Sequence, residues 1–199
     1  MCFEINDHIL KRKLKCDNET NTILRNRIKN YGDWRVPGMI IRPGRETFIE
    51  DMVPLDPLYL LDSNLDLLEP AISSFTPEYQ RRLRPYAIND YDNSEILTQL
   101  PDNQFGFVFA YNYFNHKPMP IIERFLTEFY QKLRPGGSVL MTYNNCDLAH
   151  GVIRAEHVWM LYTPRRLIEQ HATNLGFELV NAYDGKGDVS WLEIGRAHV

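Results

Sequence analysis

The chain has 199 residues, 44% hydrophobic and 24% charged, with a formal net charge of −4. That length and apolar content suit one domain with a sizeable core, and the slight acidity offers no general attraction for nucleic acid or an anionic membrane surface. The opening "MCFEINDHIL" lacks the basic-then-apolar order of a secretory leader, and no apolar run approaches the roughly 18 residues that span a bilayer. Cys2, Cys16 and Cys146 are scattered without metal-ligand spacing, as reduced thiols would be. A cytoplasmic protein with no metal site and no membrane partner is expected.

Residues 1–31 read as polar and helical, with basic runs "LKRKLK" and "LRNRIKN". They set residues 1–35 apart as an N-terminal helical accessory segment. "KRKLK" has the charge to track phosphates but no interleaved aromatics, so a solvated helix face is the expectation and nucleic acid is not an expected partner. From residue 36, short apolar runs alternate with amphipathic stretches, the pattern of βαβ units in a mostly parallel sheet.

Strands are expected near Gly38–Ile41, Leu58–Leu61, Arg84–Asn89, Gly106–Ala110, Gly137–Thr142, Glu178–Tyr183 and Val189–Glu193, and helices at Thr47–Asp51, Asn64–Ser74, Met119–Leu133 and Pro164–Leu175. Ile121, Ile122, Phe125, Leu126, Phe129 and Leu133 fall on one helical face. "RPGG" and "LGF" place glycine just past a helix, where a left-handed cap leads into the next strand. The first of these strands runs into "MIIRPGRETF", Met39 to Phe48, which has the shape of a phosphate- or nucleotide-binding turn but holds one glycine, Gly44. At the other end, residues 194–199, "IGRAHV", read as translated sequencing adapter, which limits the expected domain to residues 36–193.

Three stretches carry a family resemblance. "LPDNQFGFVFAYNYFNH" (Leu100 to His116) is similar to a fourth strand with its lead-in, "FYQKLRPGGSVLMTY" (Phe129 to Tyr143) to the following helix, turn and fifth strand, and "RRLIEQHATNLGFELVNAYD" (Arg165 to Asp184) to a later helix and sixth strand. Together they resemble the class I S-adenosylmethionine-dependent methyltransferases over roughly residues 36–193. The resemblance implies an α/β fold, a Rossmann-like three-layer sandwich with a mostly parallel seven-stranded sheet, an antiparallel last strand and helices on both faces. It also implies S-adenosylmethionine as cofactor and methyl transfer to an acceptor, either a small molecule or a lipid-like or peptide group. The alternative is a methyltransferase-like module without activity that binds or scaffolds.

Site residues follow from the same alignment of landmarks. The family's acid-x-Gly-x-Gly-x-Gly turn falls on Ile40, Arg42, Gly44 and Glu46, so only the middle glycine is kept; Arg42, Pro43 and Gly44 would line the cofactor. Arg42 would strain the turn if a positive φ is needed there. Asp62 ends the second strand, with Ser63 beside it; its carboxylate suits the ribose hydroxyls and equally a cap on the helix that follows. Asp90 and Tyr91, in "YAINDYDN", would meet the adenine, or form an ordinary turn. Tyr111 would face the cofactor from the end of the fourth strand or be strand core. Tyr113, Asn115 and His116 would line the mouth on the substrate side, His116 as a base or as an exposed loop histidine. The N-terminal helices and the segment Asn144–Pro164 would roof the pocket, with Asn144, Asn145, His150, Arg154, Glu156 and His157 as polar contacts or as solvated surface.

Overall fold

The computed structural model describes residues 20–43, 48–89, 96–185 and 189–198. Gly44, Glu46, Asp90, Tyr91 and the basic run at 11–15 lie outside the described residues.

Seven strands form one sheet in the order β3-β2-β1-β4-β5-β7-β6: β1 Gly38–Ile41, β2 Leu58–Asp62, β3 Leu83–Ala87, β4 Phe105–Ala110, β5 Leu133–Tyr143, β6 Phe177–Tyr183 and β7 Ser190–Arg196. The pairs from β3 to β5 are parallel, and β7 runs antiparallel between β5 and β6. This is the expected three-layer sandwich. Every residue of β1 and β4 is buried, as befits parallel strands covered on both faces.

Alternation along these strands feeds two cores. Met39, Ile41, Val108, Ala110, Val139 and Met141 face one side, under α5 Met119–Lys132 and α7 Arg165–Leu175. Ile40, Leu60, Phe107, Phe109 and Leu140 face the other, under α1 (residues 20–29) and α2 Phe48–Met52. Leu24 and Ile28 of α1 are fully buried there, so the described part of the N-terminal segment is core rather than appendage.

Several boundaries differ from the sequence reading. The single helix expected over Asn64–Ser74 is a 3-10 turn, Leu65–Leu67, then α3 Glu69–Ser73. Asn64 caps the first by accepting from the Asp66 N–H at 3.0 Å, and Pro70, which lacks an N–H, sits in the first turn of the second. Two short helices were not expected: α4 Pro77–Gln80 and α6 Ala149–His157. β3 ends at Ala87, two residues before the expected Asn89. "RPGG" is absorbed into β5 as an irregularity in its pairing with β4, with Gly136 at φ 76°, while Gly176 at φ 98° is the left-handed cap of α7 as expected. Ile194 to Arg196 pair within β7, and the Arg196 guanidinium donates to the carbonyls of Tyr130 and Leu133.

Two charged groups on the buried side of α5 hold the chain entering β4. The Glu128 carboxylate accepts from the backbone N–H of Ile96 at 2.8 Å and of Leu97, and Lys132 Nζ donates to the Leu100 carbonyl at 2.9 Å and to Asp102 at 2.6 Å. On the opposite face, Glu193 of β7, 1% exposed, accepts from Arg27 and from the Tyr31 hydroxyl, and the Tyr31 ring stacks on Phe107 at 4.3 Å. Burial, then the bond to Glu193, pushes the Tyr31 hydroxyl from 10.0 up to about 12. The raised value favours the neutral phenol in the folded state, so its contribution is whole below pH 10 and lost as the pH rises through about 12. Glu193→Ala should lower stability in urea by about 2 kcal/mol, because Arg27 and Tyr31 lose their shared acceptor. Tyr31→Phe should remove part of the stability loss between pH 10 and 12; an unchanged alkaline profile would contradict this.

Candidate functional site

Strand order reverses between β1 and β4, and in open α/β sheets ligands occupy the crevice at the carboxyl ends of the strands at that point. β1 lies between β2 and β4 in register, Ile41 opposite both Leu61 and Ala110. The exits of these three strands, beginning at Arg42, Asp62 and Tyr111, therefore stand side by side. A cleft of about 230 Å³ lined by Trp34, Pro54, Tyr79 and Arg82 lies at the other end of the sheet, before β1, β2 and β3. Its position, away from the strand exits, separates it from the candidate site.

Asp62 is 1% exposed. Its Oδ1 accepts from the Asn64 N–H at 3.1 Å and from the Ser63 hydroxyl at 3.5 Å, and its backbone carbonyl accepts from Ile88 at 3.0 Å. Oδ2 is buried without a hydrogen-bond partner. The helix cap that the sequence also allowed at Asp62 falls to Asn64 instead; at Asp62 one oxygen closes the turn after β2, and the other has no partner in the protein. A buried acceptor without a partner loses roughly 1–3 kcal/mol relative to one satisfied by water, more when charged, so a hydroxyl-bearing ligand would recover that loss. Ser63 itself is exposed.

Arg42 is exposed, with φ 50°, and its N–H donates to the Leu61 carbonyl at 2.6 Å; Pro43 after it is buried. The turn out of β1 is left-handed at this position, the geometry glycine adopts without cost. Tyr111 is half-buried on the same side of the sheet as α2, its ring 5.0 Å from Phe48 and 6.5 Å from Phe109. Asp62, two residues on from Leu60, is on that side as well.

Beyond Tyr111 the chain turns sharply. Asn112, at φ 51°, donates its N–H to Thr142 Oγ1 at 2.7 Å, and Asn115 Nδ2 donates to Asn112 Oδ1 at 3.1 Å. Asparagine is among the few non-glycine residues at home in that conformation, which is the one sequence signal for this turn. Tyr113 lies in the α5-side core, 3% exposed and edge-on to Phe114 and Phe125, rather than at the mouth. His116 is exposed, and its Nδ1–H donates to the Trp159 carbonyl at 2.9 Å. A carbonyl only accepts, so this bond puts the proton on Nδ1 and leaves Nε2 as the acceptor of the neutral ring.

The segment after β5 folds back onto the loop that follows β4. Leu161 N–H donates to the Asn115 carbonyl at 2.8 Å, and Asn145 and Thr163 form a parallel bridge. Asn144 Nδ2 donates to the carbonyls of Gly151 and Leu161, and Asn145 Nδ2 to Asp184 at 3.1 Å. Both amides, expected as substrate contacts, are buried and hold the roof to the sheet. α6 approaches so closely that a Cβ on Gly151 would stand 1.8 Å from the Asn145 carbonyl oxygen.

Residues 64–141, less than half of the chain, match the family model of the methyltransferase domain. No curated protein matches the sequence. Among solved structures, the N-methyltransferase NodS of Bradyrhizobium japonicum WM9 superposes with a TM-score of 0.64 at 11% identity, covering 92% of this chain and 99% of that one. The geranyl diphosphate C-methyltransferase of Streptomyces coelicolor A3(2), described in complex with Mg2+, geranyl diphosphate and S-adenosyl-L-homocysteine, gives 0.67 at 8% identity over 92% of this chain and 80% of that one. The chain has a fold similar to that of the class I methyltransferases. The [4+2]-cyclase SpnF, at 0.63 and 11% identity over 88% and 80%, shares the architecture under a different reaction.

On this methyltransferase fold, the left-handed residue after β1 is Arg42, and relieving its backbone should stabilise the protein. Arg42→Gly should raise unfolding free energy in urea by about 1 kcal/mol, against the usual sign of a substitution by glycine. A loss of stability would show that the turn is not strained at Arg42.

Proposed function

We propose that the chain is an S-adenosylmethionine-dependent methyltransferase whose adenosyl group is held by Asp62 through its ribose hydroxyls. The single observation behind this is the buried, partnerless Oδ2 of Asp62 at the end of the strand beside the switch point. The methyltransferase-domain match and the fold neighbours support the general reaction class. Ser63 flanks the same turn, and Arg42, Pro43 and Gly44 would line the amino-acid end of the cofactor. Tyr111 closes the side toward β4, and Asp90 and Tyr91 belong to the adenine end.

When bound, the sulfonium supplies a methyl group to a nucleophile in line with the departing sulfur. The protein's share of that chemistry is positioning and exclusion of water. Where the acceptor gives up a proton, His116 Nε2 is the candidate to receive it, since Nδ1 is already committed to Trp159. The acceptor is proposed to be a small molecule, a lipid-like group or a peptide, and the place of action the cytoplasm. No helix among the described residues is long and apolar enough to cross a membrane, and none of their His, Cys, Asp and Glu side chains group as a metal site would.

The second reading is a methyltransferase-like module that no longer takes the cofactor. Arg42 in a left-handed turn favours it. Calorimetric titration of S-adenosylhomocysteine separates the two. The parent should bind, and Asp62→Ala should bind at least tenfold more weakly, as loss of hydrogen bonds to a charged group implies. Equal affinity in a folded Asp62→Ala protein would refute the ribose contact, and absence of binding by both would favour the module.

A further inference from the structure

We propose that the cleft at the amino-terminal end of the sheet binds a proline-rich segment of a partner protein. The proposal is independent of the adenosyl site at Asp62, which lies at the opposite end of the strands.

The cleft, about 230 Å³, is lined by Gly32, Trp34, Val53, Pro54, Tyr79 and Arg82. Both of its aromatic residues are presented to solvent: Trp34 is 73% exposed and Tyr79 42%. Each sits on a fixed turn. Around Trp34, the Val36 N–H donates to the Asp33 carbonyl at 3.1 Å, and the Arg35 guanidinium holds the Asp33 carboxylate through two bonds of 2.9 and 3.1 Å. Tyr79 belongs to α4, and its carbonyl accepts from the Arg82 N–H at 2.9 Å while the Arg82 guanidinium lies 5.5 Å from the Tyr79 ring centroid.

The polar side chains of the lining are donors. The Trp34 indole and the Arg82 guanidinium can only donate, and the Tyr79 hydroxyl can do so; the lining includes no carboxylate or amide side chain. Arg82 Nη2 donates to the Val53 carbonyl at 3.0 Å, and Asp56 Oδ2 lies 3.1 Å from Nε. Asp56 thereby balances the charge of Arg82, so the cleft does not call for an anion. Its complement is a neutral ligand with flat apolar faces and hydrogen-bond acceptors. A proline run has that composition: its rings are apolar, its backbone lacks N–H groups, and its carbonyls make no internal hydrogen bonds in the polyproline helix. Aromatic-lined grooves take such segments because the helix is already formed before binding. The size agrees, since the cleft is smaller than the roughly 300–1,000 Å³ of sites that enclose a whole small molecule. It suits one or two rings of a chain lying across the surface. Residues 1–19, 44–47, 90–95 and 186–188 contain no proline, so none of these stretches is the ligand.

The test titrates an oligoproline peptide into the full chain, followed by heteronuclear NMR, with a Gly-Ser peptide of equal length and uridine monophosphate as comparisons. Oligoproline should bind with a Kd of about 1 mM or below and shift the resonances of Trp34 and Tyr79, and the Gly-Ser peptide should not bind. Trp34→Ala and Tyr79→Ala should each weaken oligoproline binding by about tenfold or more. Both side chains are exposed, so the urea midpoint should stay at the parent's value, and either variant carries the test alone if the other does not fold. The proposal is overturned if a folded parent does not bind oligoproline, if the Gly-Ser peptide binds equally well, or if the folded variants keep the parent's affinity. Occupation of the cleft by uridine monophosphate in place of oligoproline also overturns it and marks a nucleotide site.

Discussion

The parallel register of β1 between β2 and β4 is the constraint on which the rest of the site depends. Ile41 opposes Leu61 on one side and Ala110 on the other, so three chain exits are brought level at one edge of the sheet. All four residues of β1 and all six of β4 are buried, and a one-residue slip would exchange the faces presented to the two helical layers. The hydrophobic cores on either side thereby hold Asp62, Arg42 and Tyr111 in their relative places.

The polar groups around this edge divide into those that are internally satisfied and those that are not. Thr142, Asn144, Asn145 and Glu128 make bonds that fix turns and the roof. Asp62 and Asn115 each have one oxygen without a partner. The roof adds a further contrast: Trp159 is 91% exposed at φ 59° while its carbonyl is tied to His116. Its backbone thus takes part in the site's framework and its ring remains in solvent.

Much of the fold was legible because short apolar runs separated by amphipathic helices leave few alternatives. β1 was placed to the residue and α5 within one residue at its end, since "GMII" and the Ile122, Phe125, Leu126, Phe129 face are unambiguous. Less legible were the short helices α4 and α6, which hold too few turns to show a period. Glu128 and Lys132 also escaped the reading, because a charged residue on an amphipathic helix is ordinarily assigned to the solvent side and its backbone partners are distant in sequence. At the site, Asp62 could be located by its place at a strand end, but only coordinates separate the oxygen that closes a turn from the one left over. Tyr113 was misjudged for a related reason: the sharp turn at Asn112 returns the chain to the α5 face, which alternation carried past β4 does not reveal.

The most direct test of the account is a crystal structure of the protein with S-adenosylhomocysteine. The account predicts the adenosyl group over the exits of β1 and β2, with a ribose hydroxyl within hydrogen-bond distance of Asp62 Oδ2. An adenosyl group bound elsewhere, or one at those exits with Asp62 Oδ2 still unpartnered, would contradict it.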